Sequence, residues 1–378
     1  MNLRLAILTW IHYQNYGSIL QAYALSNYLK KFENDVSFIN YKPITQHSKS
    51  LIEIFGYKGI KLRKIFKNIL YRKKEFNEGI IDRKNIFIDF VKTEFNLTEE
   101  CSTNSQLEKL SEYFDFFICG SDQIWSPLNF DEKFYLNFVK DQSKKIAYAP
   151  SIGVSKINNK NIKDIMKQEI SKFKYLSIRE KEGQNIIKEL TGKEAELVVD
   201  PTLLFSKMEW IKFSEKDRYN NKNKYLLVYF LGERSFYYEY INNIAKVYDL
   251  KVVIIPTKVS DLKDDFEIVQ DITPYKFVSI FNNASCVCTD SFHGTIFSLT
   301  FGKPFLVFER FKEHDIKNEN SRLKSILIIS NQEERFVGKY NEKFLHLLSK
   351  TPSYGQLDDL IDKSKLFIKK SLDKHITN

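Results

Sequence analysis

The chain is poor in the residues that would tie it to an oxidising compartment, a metal or a membrane. It has four cysteines, Cys101, Cys119, Cys286 and Cys288, at spacings that fit neither a disulfide framework nor a metal knuckle. Cys286 and Cys288 alternate along an apolar run and read as strand core, and free thiols suit a reducing compartment. No window comes near 18 apolar residues, so no membrane span is expected. The apolar stretch Leu3–Leu8 is too short for a secretory signal and has no small-residue cleavage site after it. His12, His47, His314, His346 and His375 have no partners at metal-ligand spacing, and no metal is expected. Internal repeats and low-complexity tracts are absent. The expected location is the cytoplasm.

What is present describes a folded protein. Of 378 residues, 43% are hydrophobic and 15% aromatic, far from a disordered composition. That length leaves room for two domains with real cores. The net charge is +10, but no aromatic or glycine-rich readout motif accompanies it, which argues against nucleic acid. Basic residues concentrate at 58–84, with ten Lys or Arg against Glu75, Glu78 and Asp82. This segment reads first as a solvated face, and second as a surface for anionic lipid at the inner face of a membrane.

Strand and helix patterns alternate, which implies parallel sheets. Leu3–Leu8, a helix capped by Ser18 and running to Leu29, and Asp35–Asn40 make a βαβ opening. Residues 44–98 interrupt it and are expected to be a helical insertion, with one helix around Leu62–Leu70 and a second over Asn85–Phe95. Strands then end in Gly120-Ser121-Asp122, Pro150-Ser151, Arg179-Glu180 and Asp200-Pro201. The polar, aperiodic run 214–224 separates a second series, starting at Tyr225. The expected fold class is α/β: two doubly wound domains over 1–214 and 222–350, facing across a cleft. A C-terminal helix, 356–374, is expected to pack back on the first.

The loop Asp290-Ser291-Phe292-His293-Gly294 joins a buried strand pattern to a helix start. It carries His293 to the sheet end where α/β proteins bind ligands. The helix start, Ser291 to Thr295, offers unpaired N–H groups and a positive dipole end to an anion. Histidine titrates in the working range, so His293 is the candidate acid/base. Asp290 is read as its orienter or a base, against a helix-capping role shared with Ser291. Arg179 ends a strand and can hold a carboxylate or phosphate through two parallel hydrogen bonds, against a salt bridge to Glu180 or Glu182. Asp122, with Ser121 and Gln123, suits sugar hydroxyls, against an Asx-turn. Asn15 is a substrate candidate in the first βα loop, where Gly17 allows a tight turn. Gln21 reads as helix packing and Asp200 as a turn former. Glu233 and Arg234 follow the first strand of the second series.

Six segments resemble the polysaccharide pyruvyl transferase family: Asn15–Leu25, Cys119–Trp125, Ala147–Gly153, Ser177–Glu180, Val199–Thr202 and Thr289–Gly294. They come in the family's order across residues 3–310. The resemblance implies a GT-B-like fold of two Rossmann-like domains. It implies transfer of a pyruvyl group from phosphoenolpyruvate to two hydroxyls of a sugar, on a surface polysaccharide or its lipid-linked precursor. It needs no cofactor, and phosphoenolpyruvate is the donor substrate. It ties Arg179 to the donor, beside Ser291, Gly294 and Thr295. The acceptor side is then Asn15, Ser121, Asp122 and Gln123. Some members carry Arg-Leu-His where this chain has Ser291-Phe292-His293, so another cation is expected to substitute: Lys303, Arg310 or Arg322. The alternative is a GT-B glycosyltransferase using a nucleotide sugar; a third reading is a saccharide-binding protein without turnover.

Overall fold

The computed structural model describes residues 2–42, 83–232, 237–258, 261, 266–311, 320–338 and 341–373. The expected helix at 62–70, most of the basic segment 58–84, and Glu233 and Arg234 lie outside these residues. The second expected insertion helix is present as Arg83–Glu94.

Two six-stranded sheets carry the fold. The first contains β1 (Arg4–Leu8), β2 (Asp35–Phe38), β3 (Phe116–Cys119), β4 (Lys145–Ala147), β5 (Tyr175–Ile178) and β6 (Glu196–Leu197), in the order β2-β1-β3-β4-β5-β6. The second contains β7 (Tyr225–Tyr229), β8 (Lys251–Ile254), β9 (Glu267–Ile268), β10 (Cys286–Thr289), β11 (Phe305–Phe308) and β12 (Phe336–Val337), in the order β12-β11-β10-β7-β8-β9. Every strand pair is parallel. The central strands are buried on both faces, which is why FFIC, YLLVY, CVCT and FLVF read as unbroken apolar runs rather than alternating ones.

Strand order reverses once in each sheet, between β1 and β3 and between β7 and β10. Loops leaving such a pair at its C-terminal edge diverge and open a crevice. The loops after β1 and β3 carry Asn15 and Asp122. Those after β7 and β10 carry Gly232 and His293.

A continuous apolar core joins the halves, running from Leu5 and Ile19 to Phe277 and Phe297. Tyr16 stacks on Phe277 with ring centroids 4.5 Å apart, and its hydroxyl donates to the Ile272 carbonyl at 2.8 Å. Arg83 donates to the Pro256 carbonyl. Trp210 packs edge-on to Phe297. The C-terminal helix, Leu357–Leu372, returns to the first half: Ser364 Oγ accepts from the Val199 N–H at 2.9 Å. The four cysteines are free and buried, and burial pushes the Cys286 thiol up to about 12.

Candidate functional site

The first helix, Tyr16–Lys30, begins two residues before its expected cap. Asn15 holds the extended cap position, and its side-chain oxygen accepts from the Gly17 and Ser18 N–H groups at 2.8 and 3.2 Å. Ser18 therefore sits inside the first turn, and its hydroxyl donates to Asp122 Oδ2 at 2.5 Å. A carboxylate from the β3 loop is thus fixed over the start of the first helix. Gln21 reaches the same loop, accepting from the Ser121 N–H at 3.0 Å and donating to Thr9 Oγ1 at 3.1 Å.

The β10 loop meets this turn from the other half. The helix Phe292–Thr300 starts with Ser291 as its cap; Ser291 Oγ accepts from the Gly294 N–H at 3.3 Å. His293 follows one residue into the helix, and its ring lies against Gly17. A Cβ on Gly17 would fall 1.9 Å from His293 Nδ1, so only glycine permits this approach. On its other side, His293 Nε2 is 3.5 Å from Asp200 Oδ2.

Asp200 is shared. Its Oδ2 accepts from Arg179 Nη1 at 2.7 Å. Its Oδ1 accepts from the Thr202 N–H at 3.0 Å and the Thr202 hydroxyl at 2.7 Å. The Trp210 indole pins that turn by donating to the Thr202 carbonyl at 2.9 Å. Burial alone would raise the Asp200 carboxyl; the positive charges of His293 and Arg179 and the Thr202 N–H override it and hold the group far below the ordinary carboxylate range.

Arg179 is buried between three carboxylates. Besides Asp200, its Nη2 is 3.7 Å from Asp122 Oδ1 and its Nε is 4.0 Å from Glu180 Oε2. Burial would lower its pKa, but Asp200, Asp122 and Glu180 together raise it. Its guanidinium also covers the Phe292 ring at 4.3 Å. Glu180 is held from the far side: its Oε1 accepts from the Ile152 and Gly153 N–H groups at 2.8 and 3.2 Å.

Four buried polar atoms here have no hydrogen-bond partner: Arg179 Nε and Nη2, Glu180 Oε2 and His293 Nε2. Buried groups are normally satisfied, and a cluster of exceptions marks a place built for something else. Nε and Nη2 form the side-on fork of the guanidinium, the edge that grips a carboxylate or phosphate with two hydrogen bonds. Next to it a cavity of about 10 Å³, room for roughly one water, is lined by Arg179, Asp200, Phe292 and Arg322.

Several expectations change. Asp290 does not touch His293: it accepts from the Leu231 and Gly232 N–H groups, both at 2.7 Å, and so ties the β7 loop to the β10 loop. Burial raises its pKa, against those two N–H groups and Arg310. Ser121 is fully buried and gives its hydroxyl to the Ala149 carbonyl at 2.6 Å, so its hydroxyl holds a loop. Gly294 lacks a side chain for packing, since a Cβ there would lie 2.4 Å from Thr289 Oγ1. Thr295 returns both its N–H and its hydroxyl to the Ser291 carbonyl. At this helix start the N–H groups of Phe292 and His293, the first two of the turn, have no intrahelical acceptor. Gln123 packs beside Gly153 at the rim. Asp200 is the residue that sequence reasoning placed outside the chemistry; Asp-Pro-Thr signals a turn, and only the fold shows what the turn faces. Of the three substitute cations, Arg322 lines the cavity, Arg310 lies against Gly232 near Asp290, and Lys303 precedes β11 at the opposite end of the sheet. Among the described residues, no three His, Cys, Asp or Glu side chains are placed to hold a metal ion.

The two reversed sheets, meeting at their C-terminal edges, define an α/β fold of the GT-B class. Solved structures share the fold. The UDP-GlcNAc 2-epimerase of Methanocaldococcus jannaschii superposes with a TM-score of 0.54 at 13% identity, covering 98% of this chain and 100% of that one. The Neisseria meningitidis UDP-GlcNAc 2-epimerase bound to UDP-GlcNAc gives 0.52 at 12% identity, covering 100% of both. The chain itself belongs to the polysaccharide pyruvyl transferase family, whose sequence model matches residues 15–310. That span runs from the Asn15 cap to Arg310 and contains every site residue above except Thr9 and Arg322. The protein is accordingly a transferase. No curated protein matches it in sequence.

Proposed function

We propose that the protein moves a pyruvyl group from phosphoenolpyruvate to a sugar of a surface polysaccharide or its lipid-linked precursor, forming a pyruvate ketal. The carrying observation is the convergence of an arginine fork without hydrogen bonds, a histidine nitrogen without a hydrogen bond and a helix start at the meeting of two strand-order reversals. A trianionic enol ester needs those three things: cations for its charges, an acid for its methylene carbon and N–H groups for its departing phosphate.

In this reading Arg179 takes the donor carboxylate or phosphate on its Nε–Nη2 edge, and Arg322 supplies the second cation where relatives carry arginine at the Ser291 position. His293 donates a proton to the methylene carbon, and the central carbon gains oxocarbenium character. One sugar hydroxyl adds there, returning its proton to His293. Phosphate leaves with the bridging oxygen, and a second hydroxyl closes the ring. One hydroxyl proton ends in the methyl group and the other on phosphate. Asn15, Asp122 and Gln123, at the first sheet's edge, are the acceptor side. Neither step calls for a cofactor. The basic segment 58–84 is the proposed contact with an anionic membrane; Arg83 is excluded from that role by its place against Tyr16 and Pro256. Among the described residues no helix is long and apolar enough to cross a membrane.

The test is turnover of phosphoenolpyruvate with a polysaccharide-derived acceptor, read as phosphate release matched by ketal formation. His293→Ala should lower kcat by about 10²-fold or more while the protein stays folded. Near-normal turnover in that variant removes the assignment. Ser291, where relatives carry arginine, and the fold shared with enzymes of UDP-GlcNAc favour one other reading, glycosyl transfer from a nucleotide sugar. Consumption of a nucleotide sugar with no use of phosphoenolpyruvate selects it.

A further inference from the structure

We infer that Asp200 is a positioning residue for the reaction: one carboxylate oxygen serves both the donor-binding arginine and the acid/base histidine, and so couples the two. This rests on the pyruvyl-transfer reading for the roles of its two neighbours.

The geometry is specific. Oδ2 lies 2.7 Å from Arg179 Nη1 and 3.5 Å from His293 Nε2. Oδ1 is spent on Thr202, through both the backbone N–H and the hydroxyl. The carboxylate therefore cannot rotate to favour one cation over the other. Thr202 and Asp200 are buried, and Trp210 anchors the turn beneath them. Gly17 closes off the opposite face of the imidazole, leaving its Nε2 edge toward Asp200. The other charged groups around this centre are Arg179, Asp122 and Glu180 from the first sheet and Arg322 from the helix Asn320–Ile329. Asp290, next in the chain, turns its carboxylate to Leu231 and Gly232.

Two consequences follow from Coulomb attraction at short range. An anion 3.5 Å from Nε2 attracts the positive charge of a protonated ring, the form that can give its proton to the methylene carbon. When a donor anion takes the Nε–Nη2 edge of Arg179, Arg179 shares its charge between the donor and Asp200. More of the Asp200 charge is then felt by His293, so donor capture and proton loading reinforce each other. After proton transfer the neutral ring accepts the proton of the attacking hydroxyl, and the centre returns to its starting charge.

Asp200→Asn separates this from a purely structural role. The amide oxygen can still accept from Thr202, so the turn is retained while the charge is lost. The expected results are a kcat at least tenfold lower, a smaller change in KM for phosphoenolpyruvate, and a basic limb of the kcat profile shifted to lower pH by about one unit or more. The His293 imidazole should titrate correspondingly lower by NMR, with the signal assigned through His293→Asn. Unmoved titration and an unmoved pH limb, with only a lower Tm, overturn the inference. If Asp200→Asn does not fold, Thr202→Val serves. It removes the hydroxyl that aims Oδ1 and leaves the charge; kcat should fall several-fold with the NMR signal of His293 behaving as in the wild type, and unchanged kcat overturns the inference. The NMR readout is independent of the donor, so a wild-type protein that ignores phosphoenolpyruvate rejects the functional reading without deciding the role of Asp200.

Discussion

Arg179 is a charge that the fold has gone to some length to bury. It stays ionised because Asp200, Asp122 and Glu180 surround it. Removing a partner from such a group leaves an uncompensated charge, which typically costs about 3–5 kcal/mol. The pH dependence follows with a definite sign. Asp200 is depressed in the folded protein, so its contribution to stability is complete above the ordinary carboxylate pKa of about 3.9 and is lost as pH falls below it. Acid unfolding of the wild type should therefore steepen below about pH 4. In Asp200→Asn that component should vanish, while stability at neutral pH is already lower. Unfolding monitored by circular dichroism from pH 7 to pH 2 checks both. Of these residues, His293 and Arg179 were legible from their types and their strand-end positions. Asp200 was not, because Asp-Pro-Thr is also an ordinary turn, and its cations arrive from residues 21 positions back and 93 ahead in the sequence.

At the scale of elements, the site is made by two helix starts brought nose to nose. One is capped by Asn15 and the other by Ser291, and His293 crosses to Gly17. Gly17→Ala should displace the His293 ring, since the added methyl would occupy its place. We expect kcat to fall at least tenfold with a smaller loss of Tm; kinetics and thermal unfolding of the one variant decide it. Asn15→Ala should cost about 1 kcal/mol of stability, the usual loss of a cap. The sequence's alternation of strands and helices located most of these elements within a few residues. The strand Tyr175–Ile178 stops just before Arg179-Glu180, as expected, and the helix Pro274–Asn283 carries the strong start signals Thr273 and Pro274. The first helix was placed three residues late because Ser18 is as good a cap as Asn15. Which one caps is decided by Asp122, a residue 104 positions away that claims the serine hydroxyl. The helices Asn104–Leu110 and Lys207–Ser214 were missed although each carries a capping box, Thr103 with Gln106 and Ser206 with Glu209. Both are short and lack a long apolar stripe.

At the scale of the whole molecule, the halves are joined by packing as well as by chain. Tyr16, Phe277, Trp210 and Phe297 belong to one core that crosses between the sheets. An interface this apolar should unfold together with the domains it joins. Phe277 is fully buried within it, and Phe277→Ala should cost about 3–5 kcal/mol. Calorimetry should show a single transition in the wild type and a lower, still single, one in the variant; a split into two transitions would show that the halves are independent. The cavity beside Arg179 holds about one water in this arrangement, so a donor the size of phosphoenolpyruvate must move the Phe292 ring off the guanidinium to reach the arginine fork. Binding should then be felt across the whole molecule as a gain in stability.

That makes ligand-dependent unfolding of the purified wild type the most direct test. The Tm is compared with phosphoenolpyruvate, with inorganic phosphate and with a set of nucleotide sugars at equal concentration. A ligand that binds only the folded state stabilises it by RT ln(1 + [L]/Kd), about 2.7 kcal/mol at a hundredfold excess over Kd. The account predicts a rise with phosphoenolpyruvate that exceeds the rise with phosphate, and none with nucleotide sugars. A rise with a nucleotide sugar alone would contradict it and assign the same crevice to a different donor.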